Sequence, residues 1–334
     1  MGANKSDQLP GLAVVIPAWR GRHLGTVLSS FCAQSDQRFR VYIGDDASPD
    51  DLRMLVDEFR HDLEIVYHRF DDNLGGRDLV AQWHRCIGLT KGEEWIWLFS
   101  DDDEAEPDCV AAFFGALADG GGAVDLMRFD FKIIDSDGNL VRSPTHNPEE
   151  ESAHELLHAI LSGGGREWRA PEHLFRREVY ERCGGFVNFP LALYSDLATW
   201  VEFAGNEGVK TLSPGGVRWR SHSEGISSGN RLKNRDALLL ALSGFMGWLD
   251  GYLKSGSDLE MRALGVRFMY RELGRVQPPV PWSLGREFVD RVKVLAPHLS
   301  WISARVYFSI WFSRARHFPV LARLLHWRYL RKVK

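Results

Sequence analysis

The chain has 334 residues, 44% hydrophobic and 26% charged, with a formal net charge of -4. That balance belongs to a globular protein with room for one large domain or a domain plus an appendage, and it excludes extended disorder. So small a net charge supplies no global field for nucleic acid, and none is expected as a partner. The apolar run LAVVIP at 12–17 suits a buried parallel strand, and Leu24, Val27, Leu28 and Phe31 then recur at helical spacing. RVYIGDD at 40–46 repeats the strand. SPDD then predicts a helix start, with Ser48 as N-cap, Pro49 in the first turn and Asp51 at the capping-box position. EIVYHRF (64–70) predicts a third strand, Asp78 to Leu89 a third helix and EWIWLF (94–99) a fourth strand.

Repeated strand–helix units imply a parallel sheet covered by helices, whose ligands bind at the carboxyl ends of the strands. The unusual loops fall at such ends: Pro17 to Arg20, Asp45 to Ser48, Asn73 to Asp78 and Ser100 to Glu104. Beyond about residue 124 the pattern changes. RFDFKII (128–134) alternates with period two, DSDGN is a hairpin-type turn, and Leu156, Leu157, Ile160 and Leu161 mark a helix. GGG at 163–165 reads as a flexible connection, two short strands are expected around Lys210 and Val217, and helices follow from about 231, broken by QPPVPW at 277–282. The boundary at about 230 separates an α/β domain, 1–230, from a helical region, 231–334.

Cys32, Cys86, Cys109 and Cys183 form no CxxC pair and are expected to be reduced thiols. The N-terminal MGANKSDQLPG has no apolar leader, and no run reaches the ~18 apolar residues of a membrane span, so a cytoplasmic or peripheral location is expected. After Asp290 the chain contains no acid but many Arg, Lys and Trp residues. Such a tail suits an anionic membrane surface on which it would lie, or a packing role against protein.

The acidic run Asp101 to Glu104 closes the fourth strand. Adjacent carboxylates repel, so the run is either a solvated turn leading into a helix or a cation site. Neither Gly-rich piece, NLGGRD or SGGGR, matches a phosphate-binding loop, and no GxGxxG follows the first strand.

VVIPAWR, YIGDDASPDD, NLGG, KGEEWIWLFSDDDEAEPD, CGGF and YSDLATW occur in the order and spacing found in inverting glycosyltransferases of family 2, and the chain resembles them over roughly residues 11 to 228. The resemblance implies a GT-A fold, a Rossmann-like mixed α/β sheet, here with a helical C-terminal region. It also implies a nucleotide-sugar donor, UDP-linked for preference, and Mn²⁺ or Mg²⁺ to neutralise the diphosphate leaving group. A saccharide or lipid-linked saccharide of a bacterial surface polysaccharide such as lipopolysaccharide is the acceptor it suggests. Aligned on Pro107, the family's Asp-x-Asp falls on Ser100-Asp101-Asp102. Asp102 then becomes the metal ligand and Asp101 a donor contact; a one-residue shift moves the metal role to Asp103. Asp46 would accept a hydrogen bond from the base, with Asp45 beside it or acting only as a turn residue, and the backbone of Pro17 and Ala18 would line the base pocket. Trp19-Arg20 stands where the family has Tyr-Asn, and the indole could still stack on a base. Arg77 would pair with the diphosphate or remain a solvated surface residue. Asp196 matches the general base, with Ser195 replacing the usual Glu, and its alternative is a plain helix-start Asp. His222, in WRSHSEGISS, matches a histidine that approaches the metal or diphosphate, or is an ordinary loop residue. Two rivals stay open at this point: a sugar nucleotidyltransferase, and a decayed nucleotide- or cation-binding protein.

Overall fold

The computed structural model describes residues 11–120, 123–163, 165–221, 235–253, 258–276, 280 and 282–299. The chain divides into two compact units, one of Met1–Ile160 with Gly164–Ser228, the other of Leu161–Gly163 with Gly229–Lys334.

In the first unit β1 (Leu12–Ala18), α1 (Leu24–Cys32), β2 (Phe39–Asp45), α2 (Leu52–Asp57), β3 (Ile65–Arg69), α3 (Leu79–Ile87) and β4 (Trp95–Leu98) alternate as the periodicity predicts. β1 pairs in parallel with β2 and with β4, and β2 with β3. The strands read as continuous apolar runs because both faces are covered: Val14 and Val15, Tyr42 and Ile43, and Ile96 and Trp97 are consecutive pairs that point to opposite faces, and all are wholly buried. One cap differs from expectation. Asp51, not Ser48, caps α2, its carboxylate accepting from the N–H of Met54 at 3.1 Å. The Ser48 hydroxyl is engaged instead with Trp19, as described below.

The second half of the unit adds β5 (Glu104–Ala105), α4 (Cys109–Ala118), β6 (Leu126–Ile134), β7 (Leu140–Arg142), β8 (Glu150–Glu151), α5 (Ala153–Ser162), β9 (His173–Arg176), α6 (Arg177–Arg182), α7 (Ser195–Ala204) and β10 (Val209–Arg220). The strand order is β3-β2-β1-β4-β9-β6-β10-β5, with β7 paired to β6 and β8 to β10. β9 enters antiparallel between β4 and β6, which makes the sheet mixed. The two short strands expected around Lys210 and Val217 are one strand whose register against β6 shifts between Leu212 and Val217. The alternating run at 128–134 lies in β6, and DSDGN is the β6–β7 turn.

The second unit contains α8 (Arg235–Tyr252), α9 (Leu259–Arg275) and α10 (Trp282–Leu295). α8 and α9 approach closely at Gly265, where a Cβ would come within 2.5 Å of a Leu249 methyl. A buried ion pair, Asp250 to Arg262 at 2.7 Å, joins them. No helix among the described residues is long and apolar enough to cross a membrane. The basic tail from residue 300 and His222 lie outside the described residues.

Candidate active site

The carboxyl ends of β1, β2 and β4 converge. Pro17 and Ala18 end β1 opposite Gly44 and Asp45 of β2, and the Ala18 carbonyl accepts the N–H of Asp46 at 2.8 Å. Asp101, just past β4, accepts the backbone N–H of Trp19 at 2.8 Å and of Arg20 at 3.1 Å. The Ser48 hydroxyl donates to the Trp19 carbonyl at 2.7 Å. Trp19 is thus held by its backbone from two loops, and its side chain is free to project: the residue is 40% exposed, with the Arg20 guanidinium 4.0 Å from the ring centroid.

The two aspartates at the end of β2, Asp45 in its last position and Asp46 just past it, are both buried and both engaged. Asp45 accepts from the N–H of Ser48 at 2.7 Å, the Tyr67 hydroxyl at 2.5 Å and Arg69 at 2.7 Å. Burial, then the hydrogen bond to this carboxylate, push the Tyr67 hydroxyl up to about 12. Asp46 accepts the N–H groups of Leu74 at 2.8 Å and Gly75 at 2.9 Å and pairs with Arg85. A Cβ on Gly75 would come within 2.8 Å of the Asp46 carboxylate, so the glycine of NLGG is what lets the loop close on it. Arg77 lies in the same loop, largely exposed, and pairs with Asp72.

The acidic run separates into different environments. Asp101 is half-buried, and desolvation of its carboxyl followed by the charge of Asp102 pushes it up to about 6 despite the N–H groups of Trp19 and Arg20. Asp103 is wholly buried; Oδ1 accepts the N–H of Arg220 at 2.7 Å, and Oδ2 has no hydrogen-bond partner among the described residues. Burial, then Asp102, hold its carboxyl well above the ordinary range. Asp102 between them is half-buried, and its carbonyl accepts from Arg220 Nε at 2.8 Å. Glu104 belongs to β5 and pairs with Arg218 at 2.8 Å and with Arg220. Arg220, at the end of β10, therefore ties the acidic loop down through three successive residues. The sequence reading passed over it in favour of His222, although both lie in the same segment.

Among the described residues no three His, Cys, Asp or Glu side chains converge into a preformed cation site. A Mg²⁺ or Mn²⁺ ion at a nucleotide needs only one or two carboxylates, with phosphate and water completing its shell. The buried, unpartnered oxygen of Asp103 beside Asp102 fits that sparse arrangement.

Asp196 lies in the first turn of α7, where its Oδ1 accepts the N–H of Leu197 at 2.9 Å. The chain leading to it is held in unusual geometry: Leu191, Ala192 and Tyr194 all have positive φ, at 58°, 53° and 67°. Non-glycine residues in that region carry strain that the surroundings must hold, a frequent property of functional loops. Ser195 Oγ accepts the N–H of Phe189 at 3.0 Å, and Thr199 Oγ1 accepts that of Val187 at 2.9 Å, so the segment is tied to α7 at both ends. Gly185 of CGGF has φ 95°, and a Cβ there would come within 2.2 Å of the His84 ring. The structure brings Trp19, Asp45 and Asp101 into one bonded cluster and places Asp102 and Asp103 next to it in sequence. Asp46, next to Asp45 and bonded to the Ala18 carbonyl through its own N–H, links that cluster to the loop that carries Arg77, whereas Asp196 lies in the first turn of α7.

The profile of the family described as Glycosyl transferase family 2 matches residues 13–183. A crystal structure of S. aureus TarS 1-349 in complex with UDP-GlcNAc is similar at TM-score 0.65 and 14% identity, over 96% of this chain and 92% of that one. TarS 1-349 in complex with UDP is similar at TM-score 0.59 and 13% identity, over 90% of each chain. No curated protein matches the sequence.

Proposed function

The chain belongs to glycosyl transferase family 2 and is a glycosyltransferase, and from that premise we propose that it transfers a sugar from a UDP-sugar, with inversion, to a saccharide or lipid-linked saccharide of a bacterial surface polysaccharide, using Mn²⁺ or Mg²⁺. The observation that carries the reading is the row Asp101-Asp102-Asp103, where burial and mutual repulsion hold two carboxyls above their ordinary range. Such a row gains most from a cation delivered with a diphosphate. The likeness to a fold crystallised with UDP-GlcNAc supports the choice of nucleotide.

In this reading the base lies against the Pro17–Ala18 backbone and the exposed Trp19 indole. A carboxylate offers about four acceptor positions, and Asp46 uses three on Leu74, Gly75 and Arg85. The fourth serves the base. Asp45 buttresses this wall through Ser48, Asp101 holds Trp19 in place beside the donor, and Arg77 exchanges Asp72 for a phosphate oxygen. Asp102, with Asp103 or His222, would hold the metal, which supplies charge neutralisation to the departing diphosphate. Asp196 takes the proton from the acceptor hydroxyl as that oxygen attacks the anomeric carbon on the face opposite the nucleotide, and the configuration inverts. The basic tail rests on anionic lipid at the inner face of the cytoplasmic membrane.

Isothermal titration calorimetry with UDP and UDP-GlcNAc, with and without Mn²⁺, tests the reading. Wild type is expected to bind UDP more tightly with Mn²⁺, and Asp102→Ala is expected to lose that increment while remaining folded. An unchanged increment in the variant refutes the metal assignment.

A further inference from the structure

The start of β9 concentrates buried polar atoms that nothing in the transfer mechanism has used. Glu172 closes a 3₁₀ turn, Ala170–Glu172, and His173 opens the strand; both are wholly buried. Among the described residues five side-chain atoms here have no hydrogen-bond partner: Oε1 and Oε2 of Glu172, Nδ1 and Nε2 of His173, and Nη1 of Arg128. Each such atom carries a desolvation penalty. Five together point to a device that serves them, a proton, a buried water or a neighbouring group.

The position is fixed from two sides. Trp97 of β4 donates its indole N–H to the Pro171 carbonyl at 2.7 Å, which pins the turn beside the strand that leads to the acidic row. The His173 ring stacks on Trp200 of α7, with centroids 4.5 Å apart and planes 16° apart, and its Nδ1 is 3.6 Å from Glu172 Oε1. Trp200 lies one helical turn beyond Asp196, so the two share a face of α7. Glu172 lies close enough for the Asp196 charge to act on it.

The charges around the pair decide its protonation. Arg128 from β6, Arg169 from the preceding loop through both its charge and its backbone, and Asp196 from α7 face Glu172; Arg128, Arg166 and the Arg169 backbone face His173. The Arg128 guanidinium is already bonded to Glu151 of β8 at 2.7 Å, and Arg166 reaches the same carboxylate at 2.6 Å. Burial therefore prevails over Arg128 and holds the Glu172 carboxyl well above its ordinary range. Burial, reinforced by the same arginine, holds the His173 imidazole well below its own. A neutral carboxyl has one O–H to donate and a neutral imidazole one N–H.

We propose that Glu172, backed by His173, is a positioning residue of the transfer reaction: its carboxyl O–H reaches the Asp196 carboxylate through one buried water and orients it toward the acceptor hydroxyl. The proposal rests on the reading of Asp196 as the base. An ionised Glu172 would repel Asp196 and favour its protonated, inactive form; a neutral one stabilises the anion that accepts the proton.

Two measurements on the full chain test this. The infrared difference between wild type and Glu172→Gln at neutral pH is expected to contain the carbonyl band of a protonated carboxyl. Its absence overturns the proposal without any need for substrate. The second measurement is the pH dependence of UDP release from UDP-GlcNAc with Mn²⁺, water serving as acceptor. Glu172→Leu removes the donor and is expected to lower kcat by about 10- to 100-fold, the worth of one hydrogen bond to a charged group, with KM for UDP-GlcNAc unchanged. It also moves the acidic limb to higher pH, an effect that loss of packing alone does not produce. Glu172→Gln, which supplies a neutral donor again, is expected to recover most of the turnover lost in the Leu variant. An unmoved limb in Glu172→Leu, or a Gln variant as impaired as Leu, overturns the proposal. Should the Leu variant not fold, the infrared band and the Gln profile decide. Asp196→Asn separates the two readings: turnover retained in that variant removes Asp196 as base, whereas turnover lost there with the Leu limb unmoved removes Glu172 alone.

Discussion

Asp46→Ala tests whether the aspartate just past β2 supports the loop as well as the nucleotide. The substitution takes away the acceptor for the N–H groups of Leu74 and Gly75 and for Arg85. A hydrogen bond to a charged group contributes about 1.5–3 kcal/mol, and stranding a buried charge costs about 3–5 kcal/mol. Arg85 is not wholly stranded. It keeps the Asp72 carboxylate at 3.0 Å and carbonyl at 2.7 Å, and its guanidinium stays 3.9 Å from the Phe70 centroid. The two amides lie in a half-buried loop that water can reach. The loss should therefore fall near the lower bound of the stranded-charge range, about 3 kcal/mol, which for a unit of this size lowers the melting temperature by about 6–12 °C. Thermal unfolding followed by tryptophan fluorescence measures the shift, and hydrogen exchange locates it: the Leu74 and Gly75 amides should lose protection while those of β1 keep theirs. Arg85→Met in the same background should add less than it costs in wild type, because the partner is already gone. A drop below about 1 kcal/mol, or additive single and double variants, would refute the structural role and leave Asp46 only its contact with the base.

Asp196→Asn keeps the shape of the side chain and its capping ability, so kcat should fall by at least about 100-fold with donor KM little changed and the melting temperature within a few degrees; near-normal turnover would reject the base assignment. Glu151→Gln tests the buried pairing with Arg128 and Arg166 and should cost about 3 kcal/mol at neutral pH. Burial raises the Glu151 carboxyl, but the hydrogen bond from Arg166 and the charge of Arg128 outweigh it, so the folded value lies below the usual 4.5. The stabilisation is thus complete above 4.5 and is lost as pH falls through the folded value, and wild-type and variant stability curves should converge in acid; curves that stay parallel below 4.5 would contradict it. Gly185→Ala places a methyl against His84 on a backbone of φ 95° and should destabilise by more than about 1 kcal/mol, measurable by the same melting assay.

The α/β organisation was legible in the sequence because buried parallel strands must be apolar on both faces and their helices on one, and both patterns are local. LAVVIP, RVYIGDD, EIVYHRF and EWIWLF each became a strand within a residue or two of the expected ends. The loops at their carboxyl ends were legible for a related reason: an acidic row such as Asp101 to Asp103 conflicts with the core beside it, and the conflict marks a site. Partners across the sheet were not legible. That Ser48 holds Trp19 rather than capping α2, that Arg220 anchors Asp102, Asp103 and Glu104, and that Gly75 exists to admit the Asp46 carboxylate are facts about residues 29 to 118 positions apart, or about a backbone approach with no sequence signature. Glu172 and His173 show the same limit most clearly. In sequence they are an ordinary polar pair before an apolar strand, and only the insertion of β9 between β4 and β6 buries them beside α7, with the His173 ring against Trp200, where the low dielectric disfavours charge on either side chain.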